Sequence, residues 1–148
     1  MIAREWLELG RVEESPINKL TNYWRGFNNL YSTAQIRGNE RDKIKGYLTS
    51  TVSHKDAQEI LEIDIQALDY LLSQPVIDMR GTGLDTQQEI NAFGGNTDHK
   101  AKLVELFLII YQVRCNLEHG QKSPTSNRDV KLCRTAAPFV ANVLERYL

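Results

Sequence analysis

Apolar residues recur at alternating spacings of three and four along most of this 148-residue chain, the pattern of helices that each bury one face. The first clear stripe is Ile17, Leu20, Trp24, Phe27 and Tyr31, with Ser15 placed to cap it and Pro16 at its first helical position. Gly38 breaks that helix, and a short second one follows Asn39 as cap. A third is predicted from Ser53 to just before Pro75, with Ala57, Ile60, Leu61, Leu68, Leu71 and Leu72 on one face. Residues 75–97 read as a connection. A structureless connection of that length would be unusual in a compact domain, so a short helix capped by Asp85 is expected inside it. The fourth long helix runs from about residue 98 to His119 and is closed by Gly120. The fifth carries Val130, Cys133, Ala137, Val140, Leu144 and Tyr147, with Pro138 as a kink point. No strand is legible. The expectation is an all-α single domain over residues 1–148, a bundle of about five helices.

Composition changes this picture little: 41% hydrophobic and 25% charged residues suit one ordinary globular domain. Uncharged apolar runs never reach the roughly 18 residues of a membrane span. The opening, MIAREWLELGRVEE, carries acids throughout and no apolar core, so it does not read as a signal peptide. Cys115 and Cys133 are therefore expected as thiols in a reducing compartment, and the protein as cytoplasmic. A net charge of −1 argues against a surface coated for nucleic acid. Charge is unevenly placed, however. Residues 1–97 hold 10 Lys/Arg against 14 Asp/Glu, and residues 98–148 hold 8 against 5. His54, His99 and His119 are scattered, with no C-x-x-C or H-x-x-x-H spacing, so no metal or cofactor is expected.

The basic excess lies in the half that contains YQVRCNLEHGQK, residues 111–122. At about 100° per residue, Leu103, Phe107, Ile110, Arg114 and Leu117 share one helix face. Arg114 thus sits in an apolar stripe, where its charge must meet an anion or an interface. Glu118, four residues on, offers an intrahelical ion pair. His119, in the last turn, suits the helix dipole and free carbonyls. A second use of the same pair is phosphodiester chemistry. The guanidinium would hold phosphate oxygens in a fork, and the imidazole would move a proton. Cys115 and His119 also share a face, although a cysteine in an apolar helix is ordinarily inert packing.

YQVRCNLEHGQK resembles the signature of the HEPN superfamily, small all-helical domains with an R-x4-6-H motif. Here it reads Arg114, four residues, His119, and then Gly120 and Lys122 match the family's continuation. YWRGFNNLY, residues 23–31, is similar to the early-helix pattern of the Apea-like HEPN subgroup. The likeness covers about residues 15–148. It implies a metal-independent endoribonuclease of toxin or defence type, with a site shared across a homodimer. Arg114 would stabilise transition-state charge, and His119 would act as general acid or base while the ribose 2′-OH attacks. Asn116 would touch the phosphate or position the histidine, and Lys122 would contact substrate. The implied partners are RNA, a second copy and a possible antitoxin or other partner protein, with no membrane. The residue after the family's arginine is often Asn, Asp or His, and here it is Cys115. Other HEPN domains are non-catalytic modules that bind RNA, nucleotides or proteins, which is the alternative reading.

Overall fold

A computed structural model describes residues 1–118, 120 and 126–148, and among them the chain is helical with no strand longer than an isolated bridge. Eight helices replace the expected five: α1 (Ile2–Val12), α2 (Pro16–Thr33), α3 (Glu40–Thr51), α4 (His54–Leu61), α5 (Ile65–Ser73), α6 (Gln87–Gly95), α7 (His99–Glu118) and α8 (Asn127–Tyr147). The all-α expectation holds; α6 is the short helix expected within residues 75–97, and the count is otherwise corrected at two places.

One is the stretch from Ser53 to Pro75, predicted as a single helix. Ser53 does cap α4, its hydroxyl accepting from Asp56 N at 3.0 Å. The chain then turns at Glu62 and restarts at Asp64, whose carboxylate accepts from Ala67 N at 3.0 Å as the cap of α5. Ile60 and Leu61 before the turn and Leu68 and Leu71 after it are all buried, so the stripe reads as continuous across a real break. The other is α1, absent from the sequence reading. It buries only Ala3, Leu7 and Gly10, and of these Leu7 alone gives a strong hydrophobic signal, Ala3 and Gly10 being small. Their smallness matters in packing. A Cβ at Gly10 would lie 2.4 Å from the Tyr23 ring, and one at Gly26 would lie 3.0 Å from Ala3 O, so α1 and α2 lie in close contact.

The remaining helix starts follow their predicted chemistry. Ser15 Oγ accepts from Asn18 N with Pro16 at the first position of α2. Asn39 and Asp42 bond each other's backbone in a capping box that starts α3. For α6 the cap shifts by one residue: Thr86 occupies the cap position, and Asp85 Oδ1 accepts from Gln87 N at 2.9 Å. Gly120 closes α7 with φ +67° and its N–H bonded to Leu117 O at 3.0 Å. Helix α8 continues through the exposed Pro138.

Helix α2 packs on α1 and α8, while α3, α4 and α6 pack on α7. The halves join through aromatic rings. Phe27 of α2 meets Phe107 of α7 edge-on at 5.2 Å and Tyr47 of α3 at 5.8 Å. Trp24 lies 6.1 Å from Tyr111 on α7. These contacts bring the polar end of α2 beside the C-terminal turns of α7. No described helix is long and apolar enough to cross a membrane.

Candidate functional site

The C-terminal half of α7 borders a groove of about 630 Å³ whose other walls are the start of α3, the 75–86 loop and the start of α6. That loop is closed at its neck by Val76 and Thr86. Val76 N donates to Thr86 Oγ1 at 2.8 Å and Thr86 N to Val76 O at 3.1 Å. Asp78 N donates to Leu84 O at 2.9 Å, and Gly81 and Gly83 turn the tip with positive φ. The loop is docked on α7 by Asn116. Its Nδ2 donates to Ile77 O at 2.9 Å, and its Oδ1 accepts from Met79 N at 3.2 Å and Gln112 Nε2 at 3.1 Å. Asn116 is only 1% exposed, so its amide is occupied by the loop and is not presented to the groove.

Three arginines line the groove, and they are held differently. Arg80 forks both oxygens of Asp78, at 3.1 and 2.9 Å. That guanidinium, with the Arg80 backbone N–H, holds the Asp78 carboxyl down at about 2. Arg41 is bonded to the buried Glu89 at 2.7 Å. Arg114, 23% exposed, has no carboxylate nearer than 3.7 Å among the described residues. Its Nη1 lies 3.8 Å from Glu40 Oε1 and its Nη2 lies 3.7 Å from Glu118 Oε1. Arg114 and Glu118 also line a second hollow, of about 390 Å³, walled by Ile2, Trp6, Arg25 and Asn28. The intrahelical pair foreseen from spacing is therefore present, but long. Within the apolar stripe, Arg114 faces a hollow on two sides.

Glu40 is the hub of this end of the molecule. Its Oε1 accepts from Tyr31 OH at 2.5 Å and from Asn28 Nδ2 at 3.3 Å, and its Oε2 accepts from Tyr111 OH at 3.0 Å. Burial, then the bonded Glu40, pushes the Tyr31 phenol far above its ordinary value. Burial, then Cys115 and Glu40, does the same to Tyr111. Both phenols thus remain hydrogen-bond donors across the physiological range. Burial also raises the Cys115 thiol, against the opposing pull of Tyr111 and Arg114, so Cys115 is a protonated thiol and a poor nucleophile.

Of the residues singled out from sequence, Arg114 and Asn116 are placed as described, and His119 and Lys122 lie outside the described residues. Glu40, Tyr31 and Tyr111 were not foreseen as site residues. Tyr111 lies three positions before Arg114 and so on a neighbouring face, a signal that was available. Glu40 had none, because its partners are 9 to 74 residues away in sequence. Comparison with family models, with curated proteins and with solved structures finds no match.

The Asn116 clamp has a measurable consequence. Asn116→Ala removes the partners of Ile77 O and Met79 N and is expected to destabilise the protein by about 1–3 kcal/mol. Hydrogen exchange at the Met79 amide should accelerate, and protection equal to that of the wild type would show that the loop docks without Asn116.

Proposed function

We propose that this chain is a metal-independent endoribonuclease of the HEPN type, acting as a toxin or defence protein and cutting RNA at a site shared by two copies. The observation that carries this reading is the meeting of the two HEPN-like stretches. Asn28 and Tyr31 from the first and Arg114 from the second converge on one carboxylate oxygen, Glu40 Oε1, at 3.3, 2.5 and 3.8 Å. These stretches lie about eighty residues apart in sequence, and each resembles the family by its own residues.

In this reading Arg114 supplies the charge that a metal would otherwise supply, stabilising the phosphorane-like transition state. Its loosely held guanidinium suits that task, since donors already forked onto a carboxylate could not take a phosphate. His119 moves the proton as the 2′-OH attacks the phosphorus, which restricts the substrate to RNA. Lys122 contacts the RNA backbone. Asn116 enters as the anchor of the loop beside the site, not as a phosphate ligand. The second hollow at Arg114 leaves room for another copy to approach across the end of α7.

One observation favours a different reading. Five carboxylates face the three arginines in the groove, an acidic surplus that suits a basic protein segment better than RNA. The second reading is thus a non-catalytic HEPN module that binds a partner protein. A cleavage assay in EDTA separates the two. The ribonuclease is expected to cut single-stranded RNA, leave a 2′,3′-cyclic phosphate on the upstream product and spare DNA. No cleavage across varied RNAs would overturn it in favour of the binding module.

A further inference from the structure

We infer that Glu40 is a positioning residue for Arg114, fixing the guanidinium by charge while leaving its N–H donors available for a second anion. Three neutral donors crowd the Glu40 carboxylate. Tyr31 and Asn28 occupy Oε1, and Tyr111 occupies Oε2. Charge-assisted N–H···O bonds ordinarily close to about 2.7–2.9 Å. Arg80 and Arg41, in the same groove, reach their carboxylates at 2.9 and 2.7 Å. Arg114 Nη1 stays at 3.8 Å from Glu40 Oε1 because two neutral donors, Tyr31 and Asn28, already fill the lone pairs of that oxygen. Coulomb attraction persists at that distance in a half-buried site, whereas the directional fork does not form.

Glu40 is itself rigidly placed. It is the first residue of α3, where the helix dipole favours a carboxylate, and the Asn39–Asp42 capping box fixes the backbone on both sides. Its donors come from α2 and α7, so the charge is braced by two helices and carried by a third. A neutral amide still ties the helices, its oxygen accepting from Tyr31 and Asn28 and its NH2 donating to the Tyr111 hydroxyl, but it carries no charge.

That difference sets the test. For its activity readout it rests on the ribonuclease reading above; for its spectroscopic readout it does not. Glu40→Gln keeps the size of the side chain and one acceptor oxygen while removing the charge. In protein labelled with 15N-arginine, the Arg114 Nε–H signal, assigned by its loss in Arg114→Lys, is expected to shift or broaden in Glu40→Gln. The Arg41 and Arg80 signals should stay in place. Adding inorganic phosphate to the wild type should move the Arg114 signal before the other two. An Arg114 signal unmoved by Glu40→Gln overturns the inference. In the cleavage assay, kcat should fall by up to about 100-fold, the scale of a misplaced catalytic group, with KM unchanged. A wild-type kcat in Glu40→Gln would equally overturn it. If the wild type cuts no RNA, the ribonuclease reading fails and the arginine signals alone decide. Should Glu40→Gln not fold, Glu40→Asp replaces it. Shortening the side chain draws the charge back from Arg114, and an unmoved signal there again overturns the inference.

Discussion

His119→Ala is expected to lower RNA cleavage by about 10²–10⁴-fold, the contribution of a positioned general acid or base, while the protein still folds. Arginine can neutralise charge on a transferring phosphoryl group, but it cannot exchange a proton near neutral pH. Within the motif the imidazole is the side-chain type that ordinarily titrates nearest neutral pH, whereas burial holds Cys115 as a thiol and Tyr111 as a phenol. The change lies just past the last residue of α7, Glu118, so the cost in stability should be about 1 kcal/mol or less. Matched denaturation curves for the two proteins, beside single-turnover cleavage rates, separate lost chemistry from lost folding. Cleavage by His119→Ala at the wild-type rate would sink the proposed mechanism. Arg114→Ala should also lose activity, and it is the less clean test because Arg114 faces the hollow where a second copy would sit. Cys115→Asn restores the residue commoner after the family's arginine and should hold or raise activity.

Phe27→Ala is expected to be the most damaging of the structural changes considered, at about 3–5 kcal/mol. Phe27 is fully buried and meets four rings edge-on: Trp24 and Tyr31 at 5.1 Å, Phe107 at 5.2 Å and Tyr47 at 5.8 Å. Three helices contribute those rings, so the cavity could not be refilled by moving one side chain. Edge-to-face pairs add about 0.5–1.5 kcal/mol each beyond the area they bury. Against a typical stability of about 5–15 kcal/mol, such a loss would leave the protein marginal. Urea unfolding should show a lowered midpoint with the slope unchanged. A loss below about 1 kcal/mol would mean that the cluster is not the joint between the halves. Tyr31 leans on Phe27, so the variant should also loosen the Tyr31–Glu40 bond.

Much of the fold was legible because helix signals are local. The stripe Leu20, Trp24, Phe27 and Tyr31 needs only the turn of one helix to be recognised, and all four residues are buried. Ser15, Asn39 and Ser53 announced helix starts because a cap bonds a backbone N–H within three residues. Legibility failed where local and tertiary demands diverged. Asp64 is a capping residue in the middle of an uninterrupted apolar stripe, and the stripe outweighed it. Helix α1 buries Ala3 and Gly10, which matter for how closely α2 can approach and not for their hydrophobicity.

The candidate site divides along the same line. Arg114 stands out in the chain because a charge at a stripe position violates the helical pattern, and that violation needs no knowledge of the partner helices. Asn116 carries no such mark: an amide in a helix can face a substrate or a loop with equal ease. It is the docking of residues 77–79 on α7 that commits it to the loop. Glu40 is further still from recognition, an ordinary acid in the first turn of a short helix. Its meaning comes from Tyr31, Asn28, Tyr111 and Arg114 arriving from two other helices. Periodicity and capping act over a few residues and can be read along the chain. Convergence on one carboxylate depends on how helices cross, and it exists only once they have packed.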